Sequence, residues 1–131
     1  MKHYVADTHA VLWFFADASK LGSQARRVFE TLGVRSTVYV SSVSLWEVAV
    51  LYERGHVRLP LGFSAWRAQL AVTDGFRLEA LLPEDIEEAR ALGPIADPFD
   101  RLLAGTALRL SASLITKDER LRRSRRVRTL W

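Results

Sequence analysis

His3-Tyr-Val-Ala-Asp-Thr-His9 begins as a short apolar, partly β-branched run and stops at an aspartate–threonine pair. Residues 3–6 read as a strand, because β-branched and aromatic side chains suit a pleated, half-buried surface. Asp7 and Thr8 form turns and cap helices, and the apolar residues Leu12, Trp13 and Phe14 that follow make residues 9–15 a helix. The unit is therefore strand, acid, helix. It recurs at Ser36-Thr-Val-Tyr-Val-Ser41, a β-rich run between small polar residues that hands over to residues 43–52, where Trp46 and Val50 keep a helical repeat.

The rest of the chain repeats this alternation. Residues 23–32 carry Ala25, Val28, Phe29 and Leu32 at helical spacing, separated from the first helix by a break over 19–22. Gly55, Pro60 and Gly62 mark a loop before a helix over 63–72, on which Phe63, Trp66 and Leu70 share a face, and 76–81 reads as a strand. Pro83 starts an acidic helix to Ala91, and Asp97-Pro98 is the cap-then-proline pair of another, continued by Leu102, Leu103, Ala107 and Leu110. Residues 112–116 form a further strand, and 127–130 add an edge strand with its arginines turned outward. Parallel neighbours need crossover helices, so the alternation predicts an α/β sandwich around a mostly parallel sheet. Ligands of such sheets bind beyond the carboxyl ends of the strands, where strand order reverses.

A chain of 131 residues has the length of one domain. Hydrophobic residues at 49% and charged residues at 26% are ordinary for a globular protein, which argues against a disordered or fibrous class. No stretch approaches the roughly 20 apolar residues of a membrane span, and Asp7 interrupts any signal-like start, so a soluble, unexported, cytoplasmic protein is expected. The absence of cysteine excludes disulfides, thiolate metal sites and a cysteine nucleophile. The net charge of +4 is modest, but Lys117, Arg120, Arg122, Arg123, Arg125, Arg126 and Arg128 crowd the last fifteen residues against only Asp118 and Glu119. That run suits either a phosphate backbone or a solvated face.

Four acids sit where strands hand over to helices or where helices begin: Asp7, Glu47, Asp100 and Asp118. Singly, each has a structural explanation. Ser44-Leu-Trp-Glu47 and Thr116-Lys-Asp-Glu119 match capping boxes, the second placing Asp118 in a first turn, and Asp97 and Asp100 begin a helix whose dipole favours negative charge. Capping does not account for all four meeting at one edge of the predicted sheet. Clustered carboxylates repel, and a cation relieves them. Oxygen ligands without cysteine or paired histidine point to Mg²⁺ or Mn²⁺ and to phosphodiester hydrolysis. His9 has no second histidine at metal spacing and reads as a helix-start residue, and Trp13, Trp46 and Trp66 read as core or interface residues.

Taken together, Val5-Ala-Asp7-Thr8-His9, Ser41-Ser-Val-Ser-Leu-Trp-Glu47, Asp97-Pro-Phe-Asp-Arg-Leu-Leu-Ala104 and Leu114-Ile-Thr-Lys-Asp118 resemble a PIN domain, and more narrowly the VapC-type toxins. The resemblance runs over nearly the whole chain, and its specificity lies in order and spacing. It implies a three-layer α/β/α sandwich and a Mg²⁺- or Mn²⁺-dependent endoribonuclease cleaving structured RNA such as transfer or ribosomal RNA. It also implies a homodimer and a cognate antitoxin whose tail blocks the acidic pocket. By position, Asp7, Glu47, Asp100 and Asp118 match the family's metal-binding acids, Asp100 preceding Leu102-Leu-Ala-Gly-Thr-Ala107. Thr8, Ser41 and Thr116 match hydroxyls lining the pocket, and Asp97 is favoured as a cap over a ligand because proline follows. Gly105 departs from the family's usual alanine. Two rival readings are a Mg²⁺-dependent aspartyl-phosphate phosphatase, which would need a second aspartate near Asp7, and a non-catalytic RNA- or partner-binding module of the same fold.

Overall fold

The computed structural model describes all 131 residues. In chain order they form β1 (Lys2–Ala6), α1 (Thr8–Ala16), α2 (Ser23–Glu30), β2 (Ser36–Ser41), α3 (Ser42–Glu53), α4 (Phe63–Val72) and β3 (Phe76–Glu79), followed by α5 (Pro83–Ala91), α6 (Pro98–Arg109), β4 (Ser113–Ile115), α7 (Glu119–Ser124) and β5 (Thr129–Leu130). The five strands make one sheet in the order β3-β2-β1-β4-β5. Every pairing is parallel, so the sheet is wholly rather than mostly parallel. The chain steps outward from β1 to β3, then crosses back to lay β4 on the other side of β1. Strand order therefore reverses between β1 and β4.

Strand alternation divides the core into two layers. Ala6, Val38, Val40, Phe76 and Ile115 face a cluster with Val11, Leu12, Val28, Phe29 and Leu70 from α1, α2 and α4. Their neighbours Val5 and Leu114 face the other way, against Leu103, Ala104 and Ala107 of α6 and Leu121 of α7. Both faces being covered, the central strands are continuously apolar, and the expected three-layer α/β/α sandwich is what forms.

Three sequence expectations shift. The strand read over 76–81 ends at Glu79, because its partner β2 ends at Ser41, which pairs with Glu79. The edge strand over 127–130 contracts to Thr129–Leu130, since β4 offers only Leu114 and Ile115 as partners and Val127 turns into the core. Of the two places read for Trp46, core or interface, the core is excluded: its side chain is 59% exposed, because the buried residues of α3 are Val43, Ser44 and Val48.

Behind the sheet, α5 and α6 pack so closely that a Cβ on Gly105 would stand 2.2 Å from the Asp85 carbonyl oxygen. The departure at Gly105 is thus a steric requirement. The Asp85 side chain, fully buried, accepts hydrogen bonds from the Leu82 amide (3.1 Å), the Thr106 hydroxyl (2.9 Å) and the Arg109 guanidinium, which also reaches Glu79 at 2.8 Å. Burial raises the Asp85 carboxyl, but these donors outweigh it and hold it below the usual range. A paired and saturated buried carboxylate of this kind ties α5 to α6 and to the end of β3.

Two stability outcomes are expected in thermal or urea melts. Gly105→Ala should destabilise, because overpacking costs about 1–3 kcal/mol against the about 1 kcal/mol that alanine gains over glycine in a helix. Asp85→Ala should cost about 1–3 kcal/mol, because the Leu82 amide and the Thr106 hydroxyl lose their acceptor while Arg109 keeps only Glu79.

Candidate active site

Asp7 is the first residue beyond β1, and its amide donates to the Ile115 carbonyl at 3.0 Å, tying it to the end of β4. Its Oδ1 accepts from the Ala10 amide at 2.8 Å and caps α1. Asp118, beyond β4, caps α7 by accepting from the Arg120 and Leu121 amides at 2.8 and 3.2 Å. Asp97 caps α6 through the Phe99 amide at 2.9 Å, as the following proline implied, and Asp100 lies in the first turn of that helix. Glu47 reaches in from α3. Helix starts favour negative charge, so the four aspartates are locally comfortable, whereas Glu47 lies beyond the first turn of α3. The fold aims four helices at one place.

That place is a cleft of about 640 Å³ at the reversal point, lined by Asp7, Thr8, Glu47, Asp97, Asp100 and Asp118, with His9, Trp13, Phe99 and Lys117 on its walls. The choice between Asp97 and Asp100 is therefore not exclusive, since both face the cleft. His9 stands at the start of α1, as expected.

Several local expectations are corrected. Ser44 and Glu47 do not form a capping box. Ser41 caps α3, its hydroxyl accepting from the Val43 amide at 3.0 Å. Ser44 and Glu47, three residues apart on one helix face, turn instead to Thr8, whose Oγ1 lies 2.7 Å from Glu47 Oε1 and 3.0 Å from Ser44 Oγ. Thr8 has one hydroxyl proton; it donates that to the carboxylate, and Ser44 supplies the proton of the second bond. Ser41, committed to its cap, does not line the cleft. Nor do Thr116 and Glu119 form a box: Asp118 is itself the cap, and Thr116 Oγ1 accepts from its amide at 3.1 Å. The basic run also divides. Arg126 and Arg128 are spent on the Ala91 and Ser111 carbonyls, and Arg120 and Arg123 lie near Asp118 and Glu119. Arg122 and Arg125 are left without such partners.

Electrostatics set these acids apart from Asp85. Burial pushes the Asp7 carboxyl up against the opposing effect of the Ala10 amide and the Thr116 hydroxyl. Burial, with the charges of Asp97 and Asp7, also raises Glu47 against the Thr8 hydrogen bond. Asp100 is pushed up to about 7 by burial and then by the charges of Asp97, Asp7, Glu47 and Asp118. Five carboxylates face Lys117 in the cleft and Arg120 beside Asp118, an excess of negative charge that a further cation would balance. All the acidic donors are hard oxygens, which fits Mg²⁺ or Mn²⁺. No three His, Asp or Glu side chains are gathered closely enough to hold an ion as they stand. Loading would have to draw the carboxylates inward against the repulsion that separates them.

An all-parallel α/β/α sandwich with an acidic cleft at its reversal point defines a recognisable class, and residues 4–127 match the model of the PIN domain: this chain belongs to the PIN-domain family. Among its relatives is Ribonuclease VapC22 of Mycobacterium tuberculosis (strain ATCC 25618 / H37Rv), 31% identical over 135 aligned residues that take in the whole of both chains. Similar solved folds include VapBC2 from Rickettsia felis bound to a promoter DNA fragment, with a TM-score of 0.72 at 16% identity, covering 98% of this chain and 97% of that one. A toxin–antitoxin complex from Klebsiella pneumoniae gives a TM-score of 0.62 at 18% identity, over 88% and 86%. No helix of the chain is long and apolar enough to cross a membrane.

The raised Asp100 carboxyl makes the metal-free protein sensitive to pH. Unfolded, Asp100 releases its proton near its ordinary value of 3.8, whereas the folded protein keeps it to about 7. Between those values the native state binds more protons, so stability falls as pH rises through the window. Melts in chelator should show a lower Tm at about pH 8 than at about pH 5, with Asp100→Asn reducing the difference.

Proposed function

We propose that this chain is a divalent-metal-dependent endoribonuclease, the toxin of a toxin–antitoxin pair, which hydrolyses phosphodiesters of structured RNA such as transfer or ribosomal RNA in the cytoplasm. The observation that carries this reading is the convergence of Asp7, Glu47, Asp100 and Asp118 on one cleft in which negative charge is in excess. The relative Ribonuclease VapC22, matched along its whole length, supports the activity, and the similar fold in a toxin–antitoxin complex supports an antitoxin partner.

In this proposal the four acids hold Mg²⁺ or Mn²⁺, which when bound would supply positive charge at the phosphodiester and lower the pKa of the attacking water. Asp7 and Asp118 each commit Oδ1 to a helix cap, which fixes the direction from which their carboxylates face an ion, and an ion at Asp118 would compete with Arg120 for Oδ2. Thr8 holds one oxygen of Glu47, which limits the carboxylate to a single orientation. Asp97, exposed at the rim, adds field at Asp100 and Glu47. Arg122 and Arg125 supply backbone-directed charge. A homodimer belongs to the same proposal, and the exposed indole of Trp46 is the kind of aromatic that an interface covers.

The test is cleavage of unfractionated cellular RNA by the purified protein. Cutting should require Mg²⁺ or Mn²⁺ and stop in chelator, and Asp7→Asn or Asp100→Asn should lower it more than about 100-fold while the circular dichroism spectrum stays unchanged. RNA binding that ignores both metal and the carboxylates, with no new ends formed, would establish the non-catalytic module instead.

A further inference from the structure

Lys117 follows Thr116 beyond the end of β4 and is the one lysine or arginine lining the acidic cleft. Asp118 and Glu119 come next in sequence, yet Lys117 pairs with neither; those acids are approached by Arg120 and Arg123. Its ammonium lies instead 5.7 Å from the centre of the Trp13 ring, within the range at which an indole face attracts a cation. The ring is itself fixed. The edge of Trp131 packs against it at 5.7 Å, and Trp131 is anchored on Gln24, its carbonyl accepting from the Gln24 amide at 3.2 Å and its amide donating to Gln24 Oε1 at 3.3 Å. The cleft wall thus carries a positive charge that is positioned without being neutralised.

We propose that Lys117, seated on Trp13, binds a phosphate of the RNA next to the one being cut, with Trp13 as a positioning residue. The inference rests on the nuclease reading above. A polyanion entering a carboxylate-lined cleft is repelled along the approach, and an ion-paired lysine would offer it little. A lysine loose in solvent would lose its side-chain freedom on binding, whereas the indole holds it near the wall beforehand. Ammonium groups bind phosphate as point charges from a range of directions, which suits a contact that steers the backbone without reading sequence.

The test measures kcat and KM of the full-length protein on unfractionated cellular RNA with Mg²⁺, across a range of salt concentrations. Each phosphate contact contributes about 0.7 to 0.9 to the slope of log affinity against log salt. Lys117→Met is expected to lower kcat/KM about tenfold at low salt, mainly through KM, and to flatten the slope by about one contact. Lys117→Arg should restore both. Trp13→Leu should raise KM but keep the slope, because the lysine still meets the phosphate. An unchanged slope and KM in Lys117→Met, or a loss confined to kcat, overturns the proposal and leaves the nuclease reading standing. Failure of the unmodified protein to cut RNA overturns both.

Discussion

Repulsion among carboxylates is the constraint on which the rest of this structure depends. Asp7, Glu47, Asp97, Asp100 and Asp118 come from four separate stretches of chain and face one cleft, where each raises the free energy of ionising Asp100. Isolated side chains would move apart. Here the sheet prevents it: β1 and β4 are adjacent, and the Asp7 amide is bonded to Ile115, so the strand ends that carry Asp7 and Asp118 are not free to separate. Helix caps do the remaining work, since an aspartate that satisfies backbone amides with one oxygen cannot swing its carboxylate away without leaving those amides unpaired.

The molecule holds a second acid, Asp85, under the opposite regime. It is more buried than any acid in the cleft, yet its carboxyl is held low because Arg109, Thr106 and the Leu82 amide surround it. Its carboxylate is saturated by the protein and serves to join α5, α6 and β3. Asp100 is less buried, and its carboxyl is raised first by burial and then by the acids around it, with no cation to offset either. Burial alone therefore does not distinguish a structural carboxylate from a candidate functional one; the sign of the nearby charge does.

Much of this was legible in the chain. The strand–acid–helix unit at residues 3–15, its repetition at 36–52 and the proline after Asp97 yielded the sandwich, the parallel sheet and the edge at which the acids gather. Misreadings came where one short pattern has two outcomes. Ser44 and Glu47 have the spacing of a capping box, but the helix begins earlier, at Ser42, and the same three-residue spacing presents both side chains to Thr8. Spacing of this kind says that two groups share a face, not what that face meets. Ser41, placed at the pocket by family resemblance, caps α3 because its hydroxyl stands next to the free Val43 amide at the helix start.

By itself the sequence determined the order of elements, the alternation that makes both sheet faces apolar, and the placement of every candidate acid at a helix start or early in a helix, because these follow from side-chain period and local capping chemistry. Only the tertiary structure decided that Asp97 and Asp100 face the same cleft, that Lys117 rests on Trp13 rather than on its acidic neighbours, and that Gly105 is needed where α5 meets α6. Those outcomes depend on residues tens of positions apart. Local pattern carries no information about such distances until the crossovers are closed and the helices are packed.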